Sequence, residues 1–368
     1  MNNAKRLIIV LLGSLIASQA VAWSGLTYSV KVIDVPGSTT TQAIGINDKS
    51  QVIGTYYDGS RHLSFIYRGG KFTTLDFPNS IETTAHAIND RGQVAGEYWN
   101  GGSDVKSFVY SNGAFETLNV PGLNEAYVIN DRGLVAGNYD IGYGINNYVY
   151  SDGSFMRFDV NGAPNGSSLY GINSRGQVVG SFYDGTREYG FLYVDGISTT
   201  LNFPGSVETN AYSINAKGVV VGSYIEIKDG NYFSHGFVYT GGKYTTLNVP
   251  QSPNYTVAFS INDRGQVAGR YNDGMGDHGF VYSKGAFTYF DFPNSDGGQF
   301  NPVSINNKGQ VAGSYFSGSR YHGFVASPIP RDKKNCERED WKFDDFKNQK
   351  QCIQFVNTRD DHGDHGHE

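Results

Sequence analysis

Three carboxylates, Glu82, Glu125 and Glu208, stand at comparable places in a chain built of repeated units. Two carboxyl groups held about 5 to 10 Å apart can serve as acid and base in glycoside chemistry, and a ring of carboxylates can hold a cation. A second set mixes flat aromatic rings with directional polar groups on short glycine-containing loops: Tyr57, Asp58 and Arg61; Trp99; Tyr183, Asp184 and Arg187; Asp273; Arg320 and Tyr321. Tyr and Trp offer amphipathic faces at low entropic cost, so this mixture suits a polar, ring-shaped ligand such as a glycan. A third set, His362, His365 and His367 in the terminal Asp/His/Gly run, has the composition to hold a divalent ion loosely.

Each set also has a plainer explanation. Asp-Gly and Ser-Gly pairs are ordinary turn chemistry, and acidic connections are commonly just solvated. His235, His278 and His322 share one repeated position in the last three units. Equivalent positions of adjacent units lie too far apart to share one metal ion, so a hydrogen bond to a neighbouring strand is the expectation for these histidines. The sequence has no nucleophile elbow, phosphate loop, zinc pattern or calcium-binding loop, so no cofactor is expected.

The elements that must position these residues come from one stretch written seven times. Ile88-Asn89-Asp90-Arg91-Gly92-Gln93-Val94-Ala95-Gly96 has counterparts beginning at Ile46, Ile129, Ile172, Ile214, Ile261 and Ile305. A period of about 40 to 45 residues with several short strand patterns per unit indicates propeller blades rather than a helical solenoid. In the second unit the four strand-like segments are 72–78, 85–89, 93–98 and 107–110. Asn-Asp-x-Gly joins the second to the third, and pairs such as Asn112-Gly113 join the fourth to the next unit's first; both are tight-hairpin chemistry. The remaining connection is longer and starts at Pro, which ends strands, so there the chain crosses to another sheet. The last unit lacks its outer segment, whereas Tyr28 to Val35 is an extra one at the start. The expected fold is therefore all-β, a seven-bladed propeller of four-stranded blades closed by its N-terminal strand. The variable connections, which carry the candidate residues, gather on one face, with the Asn-Asp-x-Gly turns on the other.

The pattern "TLDFPNS…AHAINDRGQVAGEY…HGFVY" resembles the HAF repeat of exported bacterial proteins, over nearly all of residues 28–326. That resemblance implies an extracellular, repeat-built protein and brings no reaction and no catalytic residues. Ser50, Leu134 and Asn161 depart from the usual Gly, Gln and Pro of the repeat.

The termini complete the organisation. Residues 1–22 read as a secretory signal peptide, with Lys5 and Arg6 before an apolar run too short to span a bilayer and small residues Ala20 and Ala22 placed for cleavage. The product is expected outside the cytoplasm, secreted or periplasmic, without a transmembrane segment. Residues 23–328 form the propeller, 329–359 a small module and 360–368 a disordered His/Asp-rich tail. Cys336 and Cys352, an even pair in an exported chain, are expected to form one disulfide. Around them, Trp341, Phe343 and the run Phe346 to Cys352 are similar to a short module at the ends of other secreted bacterial proteins, again without an implied activity. A formal net charge of -6 disfavours a nucleic-acid partner. The expectation is a monomeric, non-catalytic binder of a glycan or extracellular protein. The alternatives are a glycan-active hydrolase or lyase using the three glutamates, and a structural or interaction protein of the cell envelope.

Overall fold

In every blade the inner strand ends at an asparagine that ties the following turn. In the second blade Asn89 Oδ1 accepts the N–H groups of Arg91 and Gln93 at 3.0 and 2.9 Å. The same pair of bonds recurs at Asn47, Asn130, Asn173, Asn215, Asn262 and Asn306. The turn closes through a residue in the left-handed region: Gly92 has φ 88° and Ser50, standing where the others have glycine, has φ 58°. Such a conformation is cheap for glycine and uncommon for serine.

The computed structural model describes residues 28–102, 105–142, 144–291, 300–329, 336 and 348–360. Among them are twenty-eight strands, β1 (Tyr28–Val32) to β28 (Arg320–Pro328), in seven four-stranded antiparallel sheets. Blades 1 to 6 occupy residues 40–75, 82–117, 123–158, 168–201, 208–247 and 256–290, each in sequence order from inner to outer strand. Blade 7 takes its three inner strands from residues 300–328 and its outer strand from β1, which pairs with β28 through Tyr28↔Pro328, Val30↔Ala326 and Val32↔Phe324. The fold is the expected seven-bladed propeller, and the N-terminal strand closes the ring. The closing strand is also held by Tyr28, whose hydroxyl donates to Gly309 O at 3.0 Å.

Within a blade the glycine of the second strand lies flat beneath an aromatic ring of the third. A Cβ on Gly96 would meet Thr84 O at 2.1 Å and Phe108 Cζ at 2.9 Å. Phe65, Phe108, Phe191, Phe237, Phe280 and Phe324 are fully buried in this way. Tyr148 fills the place in blade 3, where its hydroxyl reaches Ser107 Oγ at 2.9 Å. Between blades, rings from the crossing connections stack on the next second strand: Phe77 on Tyr98 and Phe203 on Tyr224, both with centroids 3.6 Å apart. Burying such rings is the main favourable term, and their stacking adds about 0.5–1.5 kcal/mol a pair.

The turn asparagines also join one blade to the next. Each Nδ2 donates to the backbone carbonyl of the next blade's asparagine: 47 to 89, 89 to 130, 130 to 173, 173 to 215, 215 to 262, 262 to 306, and 306 back to 47, all at 2.8–3.1 Å. The seven amides form a closed, buried girdle that locks neighbouring blades together at the lower face. Buried polar groups need partners, and here one side chain satisfies its own turn and its neighbour's carbonyl at once.

In the C-terminal module the described residues are Cys336 and helix α1 (Gln349–Asp360), preceded by Asn348. Asn348 Oδ1 accepts the Gln351 N–H at 3.0 Å, an N-cap bond. Cys336 and Cys352 form the expected disulfide, both buried against Val356. No helix among the described residues is long and apolar enough to cross a membrane. Residues 1–22, read from the sequence as a signal peptide, and Trp341, Phe343, Phe346, His362, His365 and His367 lie outside the described residues.

Candidate functional site

All seven inner strands carry a register shift that leaves one residue unpaired, as between Ala85 and Ala87 in blade 2. A bulge of this kind re-aims a side chain. The residues so placed are Ile44, His86, Tyr127, Tyr170, Tyr212, Phe259 and Val303, and they line the axial channel. Blades 2 to 6 therefore each present a ring to the channel, in contact as a pair, His86–Tyr127 with centroids 5.3 Å apart, and as a trio, Tyr170–Tyr212 at 5.5 Å and Tyr212–Phe259 at 5.6 Å. Blades 7 and 1 contribute only aliphatic groups.

The second symmetry break lies in the seams between blades. The residue after the buried glycine of each second strand is Thr55, Glu97, Asn138, Ser181, Ser223, Arg270 or Ser314. Five are neutral and polar; two are charged. Arg270, at the seam of blades 6 and 7, is held through both terminal nitrogens: Nη1 donates to Asn301 Oδ1 at 2.8 Å and Phe300 O at 3.2 Å, and Nη2 to Tyr255 Oη at 2.6 Å, while its buried Nε has no hydrogen-bond partner. Asp277 Oδ2 lies 3.4 Å away, and the guanidinium carbon sits 5.3 and 5.6 Å from the rings of Tyr255 and Phe259.

Glu97 occupies the matching place at the seam of blades 2 and 3, where the residue corresponding to Asn301 is Glu125. Two carboxylates thus share a cleft. Tyr127 Oη donates to Glu125 Oε2, and Glu97 Oε2 lies 3.2 Å from His86 Nε2. The two atoms face each other as an ion pair that lacks hydrogen-bond geometry. Burial pushes the Glu125 carboxyl above the usual range, the negative charge of Glu97 adds to the effect, and His86 opposes it.

Above these residues opens a cleft of about 560 Å³, lined by His86, Leu123, Glu125, Tyr127, Asn138 and Tyr170 among others. Glu125 also borders an adjoining cleft of about 220 Å³ with Glu82, Glu97 and Trp99. The upper mouth over blades 2 to 4 therefore combines aromatic faces, amide and carboxylate groups, and an apolar wall.

The residues singled out from the sequence fall into two groups. Glu82, Glu125 and Trp99 line these clefts; Trp99 Nε1 also donates to Gly102 O at 3.0 Å. The others are spread around the ring and bound into loops. Asp58 accepts the N–H groups of Ser60 and Arg61 at 2.8 and 3.0 Å, and the Arg61 N–H chiefly lowers its carboxyl to about 2. Asp184 repeats the arrangement with Thr186 and Arg187, and Asp273 caps Met275 and Gly276. Arg61 pairs with Asp76 and donates to Ser80 O at 3.2 Å; Arg320 pairs with Asp34 at 3.1 Å and donates to Ser38 O at 3.3 Å. Arg187 donates to Ser206 O at 3.4 Å with its guanidinium 4.9 Å from the Tyr189 ring. These arginines fasten each loop to the following crossing. Tyr57 packs on His62, Tyr321 packs on Phe316, and Tyr183 is exposed on blade 4. Glu208 pairs with Ile225 in blade 5 and borders neither cleft. Cys336 and Cys352 form the disulfide described above. The three repeated histidines bond a residue just beyond the end of their own blade's outer strand, rather than the strand itself: His235 with Asn248 at 2.9 Å, His278 with Asp291 and His322 with Asp34, both at 2.7 Å.

Sequence reasoning missed Glu97, His86, Tyr127 and Tyr170. The available signal was departure from the repeat: a glutamate where other units carry Thr, Asn, Ser or Arg, and a ring beside a small residue at the same inner-strand place in successive units.

No protein-family model and no curated protein matches the sequence. Among solved structures the chain is similar to virginiamycin B lyase from Staphylococcus aureus, at 15% identity and TM-score 0.53, covering 81% of this chain and 99% of that one. It is also similar to the β-propeller domain of the Trilobed protease from Pyrococcus furiosus, at 10% identity and TM-score 0.56, covering 78% and 94%. A third is the acylaminoacyl peptidase of Pyrococcus horikoshii, at 9% identity and TM-score 0.52, covering 77% of this chain and 51% of that one. The Pyrococcus furiosus domain is described as an open velcro propeller, whereas the present ring is closed by β1 on β28. At these identities the likeness is one of fold.

Proposed function

We propose that this protein is an exported β-propeller that binds a glycan in the upper-face clefts over blades 2 to 4. The observation that carries the reading is the convergence of Trp99, Tyr127 and Tyr170 with Asn138, Glu82 and Glu125 in two clefts that share Glu125. Sugar rings present apolar faces flanked by hydroxyl groups, and aromatic faces beside amide and carboxylate groups complement both. The leader-like residues 1–22, the disulfide and the resemblance to HAF repeats support an exported location. A glycan array followed by calorimetry on the strongest hit tests the reading. Trp99→Ala, Tyr127→Ala and Tyr170→Ala should each weaken binding by about tenfold, near 1.4 kcal/mol. Unchanged affinity in all three variants would refute the site.

Glu125 favours a second reading, a hydrolase or lyase working in the same cleft. A carboxyl raised by burial beside a second carboxyl group, Glu97, has the makings of a general acid paired with a base. This reading expects the wild-type protein to release new sugar ends from a bound glycan and Glu125→Gln to abolish that release while binding persists. A glycan that is bound and left intact would rule it out.

A further inference from the structure

We propose that the ligand carries an acetamido group, as on an N-acetylhexosamine residue, and that this group seats at the seam of blades 3 and 4 between Asn138 and the apolar pair Leu123 and Ile145. The inference rests on the glycan-binding reading above and narrows its chemistry.

The first observation is an unused acceptor. Asn138 is only 8% exposed and lines the larger cleft. Its Nδ2 donates to Asn147 Oδ1 at 3.1 Å and to Ser167 O at 2.9 Å, and Ser167 Oγ donates to the same Asn147 oxygen at 2.8 Å. A backbone carbonyl on one side fixes which end of the amide faces it, so Oδ1 is the end left over, and no described residue donates to it. An acceptor on so buried a side chain ordinarily has a partner. Other seams satisfy the matching residue from within: Ser181 donates to Glu188 Oε1 and Ser314 to Ala43 O.

The second observation is an apolar pair beside that acceptor. Asp140, two residues on from Asn138 in the second strand of blade 3, pairs with Leu123 on one side and Ile145 on the other. Side chains in line across a sheet share a face, and residues two apart along a strand stand roughly 7 Å from each other on it. Leu123 and Ile145 are 40% and 52% exposed, and both line the cleft. The matching pair is Thr40 and His62 in blade 1 and Glu208 and Ser234 in blade 5, so the fold does not require two aliphatic groups here. Exposed apolar groups gathered in a concave site with an unused polar atom mark a ligand that has both characters. Across the seam, blade 4 brings the Ser168 hydroxyl and the Tyr170 ring to the same cleft. An acetamido group meets all of these together: its N–H donates to Asn138 Oδ1, its carbonyl accepts from Ser168 Oγ, and its methyl group covers Leu123 and Ile145 while the sugar ring lies on Tyr170. A hydroxyl group in its place serves the acceptor and leaves the aliphatic pair in water.

Calorimetry with chitotetraose and cellotetraose tests this, since the two tetramers share one linkage and differ only in carrying acetamido or hydroxyl groups. Chitotetraose should bind at least about tenfold more tightly. Leu123→Ser combined with Ile145→Ser, at two exposed positions, should bring the two affinities to within about threefold of each other. Asn138→Ser, which installs the residue found in blades 4, 5 and 7, should narrow the gap likewise, with thermal melts checking that each variant is folded. Equal affinity for the two tetramers, tighter binding of cellotetraose, no binding of either, or a preference that survives these substitutions overturns the inference. The glycan reading is judged separately. It stands if array ligands without acetamido groups lose affinity in Trp99→Ala and Tyr170→Ala, and it falls together with this inference if the array yields no ligand.

Discussion

Asp90 illustrates how a repeated residue acquires different properties in different copies. The residues after the girdle asparagines form a second ring, in which the Asp48 N–H donates to Asp90 Oδ1 at 2.6 Å and the Asp90 N–H to Asp131 Oδ1 at 2.8 Å. Blades 4, 5 and 7 carry Ser174, Ala216 and Asn307 here, whereas blades 1 to 3 are all acidic. Burial raises the Asp90 carboxyl to about 6; the Asp48 N–H opposes this, and the Asp48 and Asp131 charges reinforce it. A carboxyl raised in the folded state binds its proton more tightly there than in the unfolded chain. Its contribution therefore favours folding below the unfolded value near 4 and is lost as pH rises through about 6. Asp90→Asn should flatten that part of the profile, seen as a smaller fall in melting temperature between pH 4 and pH 7 than in the wild type; an unchanged slope would contradict the assignment. In the sequence all seven asparagines read as turn formers. Their bond to the next blade was not legible, because it depends on a partner about forty residues away being brought alongside by closure of the ring.

At the scale of the element, the blade depends on a flat second strand. Gly96→Ala places a methyl group 2.1 Å from Thr84 O and 3.0 Å from Ala85 Cα, both backbone atoms that cannot swing aside. Overpacking of this kind costs about 1–3 kcal/mol or more, so the variant should show a clearly lowered thermal midpoint; a melt matching the wild type would mean that the inner pair of strands can separate freely. Strand order, hairpin turns and crossings were readable because each follows from local chemistry: Asn-Asp-x-Gly and Asn-Gly for turns, Pro for strand ends. The bulge was not. Ala85-His86-Ala87 alternates small and large as any inner strand does, and only the pairing of Ala85 with Gly96 and Ala87 with Ala95 shows that His86 stands apart and faces the channel. The candidate cleft was half legible for the same reason. Glu82, Glu125 and Trp99 lie on connections or strand ends that the sequence marks, whereas Glu97 and the channel rings lie inside strands where composition alone suggests packing.

At the scale of the whole molecule, seven near-copies make a ring whose differences fall at separate places around it. Blades 2 to 4 bear the paired carboxylates and the clefts, blade 6 has the one arginine at that seam position, and blades 7 and 1 carry the closure. Removing residues up to Val32 should leave β28 with an unpaired edge, lower the thermal midpoint and produce self-association on size exclusion. A truncated chain that remained monomeric with an unchanged melt would show the closure to be dispensable. The closure also sets an order of events. Synthesis delivers β1 first and β28 last, so the earliest strand stays without its mate until all the intervening sheets have been made. During that wait another molecule's leading segment can serve the vacant edge equally well, so crowded chains will exchange their first strands and form intertwined pairs, whereas dilute ones complete themselves.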